Sequence, residues 1–363
     1  MNNKFFNKRK ILFKNHIKSF IFFISIISFS TLFIFIYSYL KTKDQFKKDP
    51  GFVQATPVQT NDLCNKLSRL DNCTKRLLND FQMNRKNILF LGNSQTGAIN
   101  NFKEGDQTYF SIINSNLKFN KNLEIKGIWL PNANFKEFEH IYNKLIQCEL
   151  EIDIIFLPAF LDDTRSDVVR NNLDREKLCS NLTDNSNELK YTVGNVERLN
   201  QKITDNFSLF NKLKQINLKL KIDLYKIRNQ IFNIKPHSIR KIRNSAYKNN
   251  INSLKNIVSK RSKSNLQTVI YMPPLLNADG GGPIPYSYEQ YKRFKLDIQL
   301  ICKDNNKCSY YNLENLVENK LWGLKESTLF NKKKKELDFM HFTYDGHKLL
   351  AKKLSLILSN LNN

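Results

Sequence analysis

The sequence predicts an α/β domain built on a parallel sheet with helices on both faces. Two observations carry this prediction. Short apolar runs that end in turn formers recur along the chain, as strands buried on both sides do. Between them lie stretches with apolar residues at helical spacing, and such alternation is the pattern of a parallel sheet. The chain has 363 residues, which suggests one or two domains.

The first strand is expected at Ile88–Leu91, followed at once by Gly92, Asn93 and Ser94. The second is expected at Ile125–Leu130, ahead of Pro131, Asn132, Ala133 and Asn134. Ile152–Leu157, ending at Pro158, is the third, and Val269–Met272, ending at Pro273 and Pro274, is the fourth. Tyr310–Leu313 is the fifth. Helices are expected over Phe135–Leu145, over Ser287–Cys302 and over Tyr344–Leu358. The second of these opens with a capping-box pattern, Ser287 three residues before Gln290. In the third, Leu350, Leu354, Ile357 and Leu358 share one face. Ligands of such sheets bind beyond the carboxyl ends of the strands, so the loops at Ser94, Asn132 and Pro158 share one rim.

Residues 198–264 interrupt the alternation. Leu209, Leu213, Ile216, Leu220, Leu224, Ile227 and Ile231 repeat at helical spacing, with lysines and Arg228 between them. This reads as a basic helical insertion between the third and fourth strands, either a hairpin packed on the domain or a lid or membrane-surface element.

Composition narrows the class. Hydrophobic residues make up 41%, enough for a core, which excludes a disordered chain. Mean hydropathy is −0.48, and one long apolar run exists, which excludes a multi-spanning membrane protein. The net charge of +25 comes mostly from lysine, 45 Lys against 13 Arg, and lysine sits beside abundant asparagine. Readers of nucleic acid lean on the planar fork of arginine. A coding bias therefore explains the charge better than a nucleic-acid partner, and none is expected.

Ser19 to Leu40 holds 22 residues without a charge, long enough as a helix to cross the hydrocarbon of a bilayer. Six cations precede it, and Lys41, Lys43, Lys47 and Lys48 after it are diluted by Asp44 and Asp49. That bias places the N-terminus (residues 1–18) in the cytoplasm and the rest outside. No small-residue cleavage site follows, so an uncleaved anchor is expected, then a linker over 41–85 and the domain over 86–363. Six cysteines in an oxidising compartment suggest disulfides, with Cys64–Cys73, Cys148–Cys179 and Cys302–Cys308 as near-neighbour pairings among 15 possible connectivities. No Cys-x-x-Cys or His cluster suggests a metal, and no cofactor is expected.

Two segments carry chemistry. Ser94 follows the first strand and stands at the rim. Asp338 and His341, three apart, precede the last helix; a carboxylate so placed can fix the tautomer of the imidazole, whose other nitrogen then takes a proton from a serine. Taken singly, Ser94 reads as a helix cap, His341 as a turn residue and Asp338 as an offset to Lys332–Lys335. Asp162, Asp163 and Arg165, after the third strand, are substrate-contact candidates or a solvated loop with a local ion pair. His347 is expected on a helix surface. Gly280–Pro283 reads as a rim loop.

In these two blocks the chain resembles the SGNH (GDSL-like) hydrolase superfamily: Gly92-Asn93-Ser94 after a strand, and Asp338, His341 and Gly346 ahead of Leu349-Leu350-Ala351. The resemblance runs over about residues 86–358. It implies a three-layer α/β/α flavodoxin-like fold and ester chemistry, with Ser94 the nucleophile, His341 the general base and Asp338 its orienting partner. It also implies a glycine donor after the second strand and a Gly-x-Asn-Asp block after the third; neither is present. The oxyanion donors are then expected to be the Ser94 N–H with Asn132 or Asn134. The expected activity is an extracytoplasmic serine esterase or deacylase on an acylated envelope glycan or lipid. Its alternatives are an O-acyltransferase using the same triad and a non-catalytic protein binding anionic polymer.

Overall fold

The computed structural model describes residues 85–117, 122–170, 242–276, 286–325 and 336–362, with 55–57, 63–64, 173, 239 and parts of 224–232. By contacts the chain divides into two compact units, Met1–Phe52 with Lys190–Tyr225, and Val53–Leu189 with Lys226–Asn363. The second unit holds the domain described below. The run Ser19–Leu40 lies outside the described residues, and among those described no helix is long and apolar enough to cross a membrane.

Five strands form the centre of the sheet. They are β3 (Lys86–Gly92), β5 (Leu123–Trp129), β6 (Ile154–Pro158), β7 (Gln267–Met272) and β8 (Cys308–Asn312). A short β2 (Leu63–Cys64) adds to the edge beside β5, and the order is β2-β5-β3-β6-β7-β8, all parallel. Without β2, this is the 2-1-3-4-5 order of flavodoxin-like sheets. Strand β3 sits centrally because both its faces are apolar. Ile88, Leu89, Phe90 and Leu91 are all buried, and Ile88 stands beside Ile125 on one side and Ile154 on the other. Burial of each such side chain contributes on the order of 1.5–3 kcal/mol.

Helices cover both faces. The chain moves from β3 to β5 in one direction and from β6 through β8 in the other, so right-handed crossovers send their helices to opposite faces. One row holds α3 (Phe135–Gln147), α4 (Asn244–Lys263) and α5 (Tyr288–Lys303), packed in that order. The pair α2 (Tyr109–Leu117) and α6 (Tyr344–Asn362) packs together on the other face. Helix α3 starts where it does because Asn134 and Glu137 form a capping box, and it buries Phe135, Phe138, Ile141, Tyr142 and Leu145. Helix α4 falls in the segment expected to be an insertion, yet it is the crossover helix from β6 to β7, with Ile251, Leu254, Ile257 and Val258 in the core.

Two antiparallel pairs complete the domain: β1 (Thr56–Pro57) with β4 (Ala98–Ile99), and β9 (Trp322–Lys325) with β10 (Glu336–Phe342). The second pair delivers Asp338 and His341 to the carboxyl edge of the sheet. Cys302, in the last turn of α5, and Cys308, the first residue of β8, are disulfide-bonded, and Cys148 is disulfide-bonded as well.

Candidate active site

The order in which strands are added to the sheet reverses between β3 and β6, and the crevice at such a switch point is where ligands bind. Strand β3 ends at Gly92, and a single-turn helix α1 (Ser94–Gly97) begins immediately. Gly92 permits the tight turn: a Cβ there would stand 1.9 Å from Thr96 Oγ1. Asn93 caps α1, its side-chain oxygen accepting the Gln95 N–H at 3.1 Å. Ser94 is then the first helical residue, whose N–H has no intrahelical carbonyl to reach and remains a donor.

The two distant segments meet here. Ser94 Oγ lies 3.0 Å from His341 Nε2, although the residues are 247 apart in sequence. His341 Nδ1 lies 2.9 Å from Asp338 Oδ2. With its proton on Nδ1, the imidazole donates to the carboxylate and presents a free lone pair to the serine O–H. Asp338 Oδ1 accepts the Met340 N–H at 3.0 Å and the His341 N–H at 3.3 Å, and Oδ2 also accepts from Asn100 Nδ2 at 3.2 Å. Burial pushes the Asp338 carboxyl up, but the bond from His341, the His341 charge, the Met340 N–H and the Lys325 charge outweigh it and hold the group below the usual carboxylate range. Asp338 therefore stays ionised while hidden from water.

Two buried amides position this array. Gln95 Nε2 donates to the Pro274 carbonyl at 2.9 Å and the Met340 carbonyl at 2.8 Å, tying the serine turn to the residue preceding His341. Asn100, fully buried, reaches Asp338 over the backbone of Gly323, where a Cβ would come within 1.9 Å of its Cγ. No local pattern marks Gln95 or Asn100, since their partners lie more than 170 residues away.

Beside Ser94 opens a small cleft, lined by Asn93, Asn132, Asn134, Asp162, Asp163, Arg165, Ser166 and Met340. All five rim residues expected from sequence therefore face the same space as Ser94. Their roles divide. Asn132 is exposed, in the left-handed region at φ 54°, and lines the cleft. Asn134 has both ends of its amide engaged: Oδ1 accepts the Glu137 N–H at 2.9 Å and Nδ2 donates to the Val168 carbonyl at 3.0 Å. It is a helix cap. Asp162 pairs with Arg165 at 3.7 Å, with the guanidinium about half exposed. The far wall is braced by buried Glu137, which Arg170 grips at 2.7 and 2.8 Å.

His347 corrects the expected surface position. It is fully buried: Nδ1 accepts the Tyr109 N–H at 3.1 Å, and Nε2 donates to the Ala98 carbonyl at 3.2 Å. Burial pushes its pKa down to about 3, so it is a neutral structural histidine that ties α6 to the segment behind the serine.

The fold is a parallel α/β sheet in flavodoxin order, with a serine after its first central strand and Asp-x-x-His before its last helix. No family model matches the sequence, and no curated protein matches it. Among solved structures, the chain is similar to an acetylxylan esterase from Geobacillus stearothermophilus, with TM-score 0.40 and 9% identity over 75% of this chain and 94% of that one. It is also similar to an α/β hydrolase from the metagenome of Lake Arreo, Spain, with TM-score 0.39 and 9% identity over 74% and 93%. A further acetyl xylan esterase gives TM-score 0.39 and 12% identity over 74% and 97%.

Proposed function

We propose that this protein is a serine esterase or deacylase that works through an acyl-serine. The observation that carries the proposal is the continuous chain Asp338–His341–Ser94, with both contacts at hydrogen-bond distance and the serine opening on a cleft. His341 takes the Ser94 proton as Oγ attacks the ester carbonyl. It returns that proton to the departing alkoxide, and Asp338 stabilises the imidazolium between the two steps. The Ser94 N–H and Asn132 face the developing oxyanion. Water activated by the same imidazole then releases the acid.

The cleft is lined mainly by polar side chains, with Met340 its main apolar contact. That lining suits an acyl group on a hydroxylated carrier better than a long acyl chain. With the Ser19–Leu40 run as an N-terminal anchor and the domain outside the cytoplasm, the substrate is an acylated glycan or lipid of the cell envelope. An acyl-serine is equally open to a sugar hydroxyl, so O-acyl transfer is the second outcome of the same site.

The test uses the full chain in detergent with 4-nitrophenyl acetate, beside Ser94→Ala. Release of nitrophenolate that disappears in Ser94→Ala supports the reading. Equal rates in the two proteins overturn it. Acetylated oligosaccharide appearing when a glycan acceptor is added identifies the transferase outcome.

A further inference from the structure

The oxyanion site described above is short of donors. The Ser94 N–H is one and Asn132, exposed and on a loop, is the other, while Asn134 is held by its capping bonds. One more polar side chain lines the cleft at depth. Asp163 sits in the turn after β6 and is 4% exposed. Asn93 Nδ2, from the residue adjacent to Ser94, donates toward its two oxygens at 3.3 and 3.4 Å. No cation contacts it among the described residues. Arg165, in the same turn, pairs with Asp162, and Arg170 is bound to Glu137. The charges that do bear on Asp163 are both negative, Asp162 beside it and Glu137 on α3. On the β10 side the titratable group is His341, hydrogen-bonded to Ser94.

A buried carboxylate on which two other carboxylates act, with no cation in contact among the described residues, is a poor resting state. We propose that Asp163 stands in the cleft as a neutral carboxylic acid and donates its O–H to the substrate carbonyl oxygen, completing the oxyanion site. Burial, with the Asp162 charge next, pushes its carboxyl well above the usual range, in line with this state. The amide of Asn93 and the backbone at Phe160 donate toward Asp163, so its carbonyl oxygen is satisfied and its O–H is left to give. An acid kept neutral by burial so that it can donate a hydrogen bond is an established catalytic device.

In the step itself, the Ser94 proton moves to His341 as Oγ bonds to the carbonyl carbon. The carbonyl electron pair moves onto oxygen, where the Asp163 O–H holds it without transferring its proton. When the oxyanion collapses, the alkoxide leaves with the proton from His341, and Asp163 is unchanged.

This inference rests on Ser94 being the nucleophile, so Ser94→Ala is run alongside. The full chain is assayed on 4-nitrophenyl acetate from about pH 6 to 10. Asp163→Ala is expected to lower kcat by roughly 100- to 1000-fold with KM within about 3-fold, the loss typical of one oxyanion donor. Wild-type kcat is expected to fall at alkaline pH as Asp163 ionises and ceases to donate. Asp163→Asn keeps a donor that does not titrate, so it is expected to retain most of the activity and lose that alkaline fall. A purely structural role would not remove the limb. If Asp163→Ala does not fold, the Asp163→Asn profile decides alone. Asp163→Ala matching wild type, or Asp163→Asn keeping the alkaline fall, overturns the inference while Ser94-dependent cleavage stands. Cleavage indifferent to Ser94→Ala overturns the underlying reading instead.

Discussion

Replacing Gly323 by alanine tests the positioning of the triad from a residue that touches none of its members. The added Cβ would lie 1.9 Å from Asn100 Cγ and 2.1 Å from its Oδ1, far inside contact distance. Asn100 is fully buried and cannot swing to solvent. It must shift, and its 3.2 Å bond to Asp338 Oδ2 is the contact that fails. A hydrogen bond to a charged acceptor is worth about 1.5–3 kcal/mol. If that bond is needed to hold Asp338 and His341 in line, kcat falls by roughly 10- to 100-fold, since about 1.4 kcal/mol is tenfold in rate. Overpacking also lowers stability by about 1–3 kcal/mol. Asn100→Ala removes the same bond without the clash. The assay is kcat and KM on 4-nitrophenyl acetate for both single variants and the double, with a urea melt for each. Because both changes act through one hydrogen bond, the double variant is expected to be no slower than the slower single one. Wild-type kcat in folded Gly323→Ala, or fully additive losses in the double, would refute the reasoning.

Three further predictions concern the frame. His347 has a pKa lowered to about 3, so below about pH 6.5 the unfolded chain takes up a proton that the native state refuses. Stability should fall by about 1.4 kcal/mol per pH unit from this group between those two values, and urea melts of His347→Gln should show a flatter acid slope. Arg261 is fully buried and donates to the carbonyls of Ile152, Asp153 and Gln267 at 3.0, 3.0 and 2.8 Å. Arg261→Met strands those carbonyls at the end of the sheet away from Ser94, so a urea midpoint should report a loss of at least about 3 kcal/mol, with kcat of the folded protein unchanged. Replacing Cys302 and Cys308 by serine opens a loop with sequence separation 6. Chain entropy puts that loss near about 2 kcal/mol, again read by urea, with little change in kcat.

The central strands were readable because burial on both faces leaves an uninterrupted apolar run, as at Ile88–Leu91 and Ile154–Leu157. The pairs β1–β4 and β9–β10 were not. They are two- to seven-residue segments whose pairing depends on partners elsewhere, and β10 follows a lysine run that masks it. Helix α4 was read as part of a basic insertion because Lys and Asn dilute its apolar face; its place in the sheet decides its role. The meeting of Ser94 with Asp338 and His341 followed from the expectation that strand ends share a rim. Two residues carried local signals of the places they hold in the structure. Asn134 stands three residues before Glu137, the spacing of a helix cap. His347 lies three and four residues before Leu350 and Ala351, on the buried face of α6. Gln95 and Asn100 had no such signal, since what they hold is fixed only by long-range folding.

The most direct measurement of the central claim is covalent labelling. The full chain is treated with a fluorophosphonate, digested and mapped by mass spectrometry. A serine activated by His341 is expected to carry the phosphonate at Ser94, with labelling abolished in Ser94→Ala and slowed at least about 100-fold in His341→Ala. An unmodified Ser94, or equal labelling after His341 is removed, would contradict the account.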